Sequence, residues 1–104
     1  MDPKTIEIEG TAEERKQIPL YRGLMCYFPN ALVEVAKQSY KGNLQHHPED
    51  EIWWDMSKSK DELDALLRHM LEGEWAAVAW RALAHLERTC ITNHTHNRKV
   101  QHEE

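Results

Sequence analysis

Apolar residues recur at helical intervals in three stretches of this chain and alternate with polar residues in only one short place. Leu32, Val35, Ala36 and Tyr40 fall three or four apart and predict a helix with one apolar face. Pro29 suits its first turn, where the missing N–H has no partner to lose, and Gly42 suits a left-handed stop after Tyr40 and Lys41. Leu63, Leu66, Leu67 and Met70 predict the buried stripe of a second helix. Ser59 and Glu62 precede it at the spacing of a capping box, in which each side chain satisfies the other's backbone donor. Gly73 marks a stop or kink. Beyond it Trp75, Val78, Ala79, Ala82, Leu83 and Leu86 form a third apolar face, whose alanines allow close helix packing. The pattern predicts an all-α fold, a small helical bundle.

The remaining segments are less regular. Residues 1–18 read as a polar arm in which Ile6-Glu7-Ile8 is an edge strand or nothing. Residues 19–28 are apolar and aromatic but interrupted by Gly23, which suits cover for a core without a regular element. The stretch GNLQHHPEDEIWWDMSKSK has little periodicity and is long for a plain connector, and ordered loops of this length are often functional. From Thr92 onward no core-forming pattern remains, so a fraying tail is expected. It holds His94, His96 and His102 among polar residues, and the alternating His94 and His96 are either solvated or a weak trap for stray metal. The expected division is an arm over 1–18, a helical domain over 19–91 and a polar tail over 92–104, with core and site between residues 29 and 87.

Composition narrows the class. At 104 residues with 40% apolar content, the chain suits one domain. A domain near this size buries only about 60 to 70% of its unfolded surface, so four tryptophans argue for a homo-oligomer, a dimer or tetramer. The net charge of −5 works against binding duplex nucleic acid, whose affinity comes from cations displacing counterions. An acidic chain can still hold a nucleotide when a divalent metal bridges carboxylates and phosphates. No apolar run approaches the roughly 18 residues of a spanning helix and the opening lacks a signal-peptide core, so no membrane and a cytoplasmic location are expected. Cys26 and Cys90 lack zinc or redox spacing and read as reduced structural residues.

Asp61 and Asp64 stand three apart on one side of the second helix, with Arg68 four beyond Asp64. Two such carboxylates can share a hard cation; equally, they can be an exposed acidic turn stabilised by the helix dipole and an Asp64 to Arg68 ion pair. Glu34 on the first helix lies about 160° from the middle of the apolar stripe, a position that serves a site only if that helix is covered on both sides. His46, His47, Lys58 and Lys60 are the kind of cations and donors a phosphate needs, and each is also ordinary surface. Of the adjacent Trp53 and Trp54, one can enter the core while the other lines a cleft and stacks on a base. The chain carries no P-loop, dinucleotide fingerprint, G-x-S-x-G or H-E-x-x-H.

The ordered strings YFPNALVEVA, GNLQHHP, WWDMSKSKDELDALLRH and VAWRALAHLE resemble the phage-associated dATP/dGTP diphosphohydrolase family, relatives of the MazG-like all-α nucleoside triphosphate pyrophosphohydrolases. The similarity covers residues 18–87. Its most specific pieces are G-N-x-x-H at 42–46, D-x-S-K-S at 55–59 and D-x-x-D-A-L-x-R-H at 61–69. The resemblance implies an oligomeric MazG-like helical fold that uses Mg2+ or Mn2+ to hydrolyse a purine (deoxy)nucleoside triphosphate to monophosphate and pyrophosphate, in the cytoplasm of a phage host. It implies Glu34, Asp61 and Asp64 as catalytic metal ligands and Asn43, His46, Lys58 and Lys60 as substrate contacts, to which the reading of the residues themselves adds Trp54 and Arg68 as expected substrate-binding residues. The alternative within the same resemblance is a non-catalytic phage protein that sequesters a nucleotide or a nucleotide-derived signal.

Overall fold

The computed structural model describes residues 5–46, 49, 51–56 and 61–103. The fold is all-α: a short helix α1 (Ala12–Lys16), a π-helical turn (Tyr21–Met25), α2 (Pro29–His46), α3 (Glu62–Leu71) and α4 (Trp75–Glu103). Among the described residues there is no strand, and Ile6-Glu7-Ile8 is irregular backbone with Ile6 exposed. No helix among them is long and apolar enough to cross a membrane. The chain divides into two units, Met1–Trp54 and Asp55–Glu104.

In the first unit the arm is more ordered than its polarity suggests. Thr11 and Glu14 form a complete capping box at the start of α1: the Glu14 N–H donates to Thr11 Oγ1 at 3.1 Å and the Thr11 N–H donates to Glu14 Oε1 at 3.0 Å. These bonds satisfy donors that a helix start otherwise leaves unpaired. Donation from Thr11 favours the ionised carboxylate and holds the Glu14 pKa below its ordinary value, the hydrogen bond from the Thr11 backbone N–H first and the Thr11 side chain second. Next, the Met25 N–H donates to the Leu20 carbonyl at 3.2 Å and that of Cys26 to Tyr21 at 2.9 Å, the five-residue step of a π-helix. Gly23 makes the turn possible, because a Cβ there would lie 2.8 Å from Pro19 Cγ. Tyr27 and Phe28 meet edge to face at 6.0 Å, yet Leu20, Tyr21, Met25, Tyr27 and Phe28 are all exposed, so this segment is not cover for a core as described.

Helix α2 begins at Pro29 as expected but does not stop at Gly42; it runs one further turn to His46. Gly42 lacks the positive φ of a left-handed stop, and helical backbone there brings Asn43 to a buried position where its Oδ1 accepts the Trp53 N–H at 3.3 Å. A tertiary bond thus outweighs the weak helix preference of glycine. Of the expected apolar stripe, Leu32 and Val35 are half-buried whereas Ala36 and Tyr40 are exposed.

The second unit is an α-helical hairpin of α3 and α4. Its turn is a Schellman motif: the Gly73 N–H donates to Met70 at 3.1 Å, the Glu74 N–H donates to His69 at 2.9 Å, and Gly73 takes φ +72°, a region that side chains disfavour. The expected stop at Gly73 is therefore present. His69 and Glu74 close the same turn through their side chains at 2.9 Å. The N-cap of α3 is Asp61, and the expected cap Ser59 lies outside the described residues.

The packed faces of this hairpin differ from the sequence stripes. Leu63, Leu67 and Met70 are exposed, and the residues turned inward are Glu62, Ala65, Leu66 and His69. Each lies one position earlier, a rotation of about 100° around the helix. On α4 the buried positions are Ala77 and Ala84, while Trp75, Ala82, Leu83 and Leu86 are exposed and Val78 and Ala79 half-buried. Ala65, Ala77 and Ala84 retain only 2%, 4% and 3% of their surface, so the helices meet through methyl groups rather than leucines. Small side chains permit the close end of the usual 8 to 10 Å axial spacing. Helix α4 also continues through the expected tail to Glu103, because no glycine or proline interrupts residues 75–103.

Candidate functional site

In the first unit, Glu34 lies on the exposed side of α2 and its Oε1 accepts a 3.1 Å hydrogen bond from Lys37 Nζ. Asn43 occupies the last turn of α2 at 6% exposure, and His46 ends that helix. The bond from Trp53 to Asn43 anchors the first tryptophan, and the adjacent Trp54 is half-buried. Asn43 thus has a structural task in addition to the substrate contact implied by resemblance. The G-N-x-x-H motif is helical backbone.

In the second unit, the start of α3 gathers Asp61, Asp64 and Arg68. Asp61 is the N-cap, and its side chain makes no cap hydrogen bond; instead its Oδ2 accepts from Arg68 Nη2 at 3.2 Å. The expected ion pair of Arg68 with Asp64 is therefore replaced by one with Asp61, seven residues away. The reach follows from geometry, since two helical turns cover about 10.5 Å and a long guanidinium folded back along the helix spans that gap. Asp64 is exposed in the first turn, where the dipole favours its charge. Asp61 and Asp64 supply hard oxygens of the kind magnesium and manganese prefer. Among the described residues, no group of three or more His, Cys, Asp or Glu side chains forms a metal-holding set. Lys58 and Lys60, together with His47, lie outside the described residues.

One charged pair escaped the sequence reading. Glu62 is 5% exposed, and its Oε1 lies 3.0 Å from Arg88 Nε, a close ion pair without the alignment of a hydrogen bond. The capping-box expectation had directed Glu62 back along its own helix; the structure turns it onto α4. The available signal was its spacing with Ala65 and His69 at i+3 and i+7, a face made of small and polar residues. A shallow depression of about 230 Å³ runs along α4 beside this pair, lined by His85, Arg88, Thr89, Thr92 and Asn93, and contains none of the residues singled out from the sequence. Trp80 and Arg81 make a cation–π contact at 5.4 Å on the same helix.

Comparison with protein-family models, with curated proteins and with solved structures finds no match to this chain.

Proposed function

We propose that this chain hydrolyses a (deoxy)nucleoside triphosphate, with preference for a purine, to the monophosphate and pyrophosphate in a metal-dependent reaction. The observation that carries the reading is the start of α3, where exposed Asp64, Asp61 and a guanidinium held on Asp61 fall within the D-x-x-D-A-L-x-R-H string. Asp61, Asp64 and Glu34 would hold magnesium or manganese, which when bound polarises a phosphoryl group and lowers the pKa of water. Arg68 would neutralise triphosphate charge once Asp61 is engaged elsewhere, and His46, Lys58 and Lys60 would share that task. Asn43 holds the Trp53 amide, and the neighbouring Trp54 would stack on a base. The enzyme is read as acting in the cytoplasm of a phage-infected cell.

A second reading has its own support. Two of the three acids already face cations, Glu34 with Lys37 and Asp61 with Arg68, and a protein that sequesters an intact nucleotide needs no free acid set. The test incubates the protein with a panel of ribo- and deoxynucleoside triphosphates plus magnesium or manganese and resolves the products. Turnover that disappears in Asp64→Asn while the fold persists supports the enzyme. Retention of intact nucleotide by both proteins supports sequestration, and neither outcome with any nucleotide defeats both readings.

A further inference from the structure

The N-cap position of α3 holds an aspartate that does not cap. An aspartate there ordinarily accepts from the second and third amides of its helix, which in α3 belong to Leu63 and Asp64. The Asp61 side chain makes no such bond, and its backbone, at φ −114° and ψ 34°, lies outside the extended region from which a capping side chain reaches those amides. Its carboxylate rests instead on the Arg68 guanidinium at 3.2 Å, seven residues along the chain. The isolated-helix preference for a partner four residues away would have chosen Asp64. The Arg68 and Asp61 side chains keep 64% and 55% of their surface, so the pair is open to a competitor arriving from water.

A guanidinium presents its N–H donors in a planar fork that fits a carboxylate and a phosphate alike. The Asp61 carboxylate therefore takes, from within the chain, the place of a phosphate oxygen on Arg68. Its hold is weak, because an exposed pair shifts an equilibrium by up to about fivefold. A diphosphate group brings more negative charge than one carboxylate and competes for the same donors. Once displaced, the carboxylate has somewhere to go. Rotation of the Asp61 ψ into the extended region puts it on the Leu63 and Asp64 amides, at the positive end of the α3 dipole. A helix cap and a surface ion pair are of similar strength, so the two positions of this carboxylate form an equilibrium that a ligand can tip.

We propose that Asp61 is an autoinhibitory group, which covers Arg68 in the free protein and turns to cap α3 when a diphosphate or triphosphate group takes the guanidinium. The inference rests on the nucleotide reading for the class of anion, and not on hydrolysis. Calorimetric titration with inorganic pyrophosphate, in the presence of a metal chelator, tests it. Asp61→Asn keeps a good cap and removes the competitor, so it should bind pyrophosphate up to about fivefold more tightly than wild type. Asp64→Asn removes the same charge from the same turn without touching the pair, and should gain less. In an Arg68→Gln background the two substitutions should have equal effects. Saturating pyrophosphate should also shift the Asp64 amide resonance of wild type as the cap forms, and shift it less in Asp61→Ala, which has no capping group. A gain in Asp61→Asn no larger than that in Asp64→Asn overturns the proposal, as does a gain that survives Arg68→Gln. Equal Asp64 shifts in wild type and Asp61→Ala overturn it too, and so does the absence of pyrophosphate binding in every variant. The expected binding pattern without turnover of any nucleotide removes hydrolysis and leaves the switch, whereas turnover without the pattern removes the switch alone.

Discussion

Breaking the Glu62–Arg88 pair is the perturbation whose size the structure defines best. The Glu62 side chain keeps 6% of its surface and that of Arg88 keeps 23%, so the carboxylate is dry while the guanidinium reaches some solvent. Arg88→Met leaves the carboxylate buried without a countercharge, which costs about 3 to 5 kcal/mol. Glu62→Leu leaves the guanidinium instead, and its partial access to water lowers the expected cost to about 2 to 3 kcal/mol. Each value is large beside the stability of a 50-residue unit, roughly 3 to 7 kcal/mol at the usual 0.05 to 0.15 per residue. Arg88→Met is therefore expected to bring the hairpin close to unfolding. The double variant Glu62→Leu/Arg88→Met removes both charges and fills the space with apolar atoms, so it should recover wild-type stability or exceed it by about 1 to 4 kcal/mol. Urea titrations of all four proteins, followed at 222 nm, close the cycle. The expected coupling exceeds about 2 kcal/mol. Singles that each cost under about 0.5 kcal/mol, with an additive double, would refute a dry ion pair between α3 and α4.

Three further outcomes are expected. Gly73→Ala should destabilise the hairpin by about 1 to 2 kcal/mol in the same titration; the cost is entirely backbone, since a Cβ there meets nothing within 4 Å, and Gly73→Asn should cost less. Asn43→Ala should destabilise by about 0.5 to 1.5 kcal/mol and speed hydrogen exchange at the Trp53 amide, whereas Asn43→Asp keeps the acceptor and should not speed it. The Glu14 carboxyl is lowered in the folded state, so the helical form binds fewer protons; the α1 cap is at full strength above the ordinary glutamate range and weakens as pH falls through the lowered value. Amide shifts of Thr11 and Glu14 followed against pH check the sign, and a midpoint at or above that of an unstructured glutamate contradicts it.

Much of the local structure was legible because it depends on nearest neighbours along the chain. Pro29 opens α2, Gly73 ends α3 in the left-handed conformation and the absence of sustained alternation excludes a sheet from the described residues, all through backbone constraints that travel with the residue type. The Thr11-x-x-Glu14 box was equally local, and was passed over because the segment around it is polar. The candidate acids were legible as a spacing on α3, but not the partner of Arg68, because Asp61 and Asp64 both lie within its reach and periodicity does not rank them.

By itself, then, the order of residues determined that the described chain is helical and roughly where the helices begin; it left Gly73 as a stop or a kink, and the structure decided for the stop. It did not determine which way each helix faces. A leucine stripe marks the most hydrophobic side of a helix, whereas the packed side is the one that allows the backbones closest approach and satisfies the charges caught between them. In this hairpin Ala65, Ala77 and Ala84 permit the approach, Glu62 and Arg88 face each other across it, and the Schellman turn sets the rotational phase. Those conditions couple residues up to 26 positions apart, and only the tertiary structure satisfies them together.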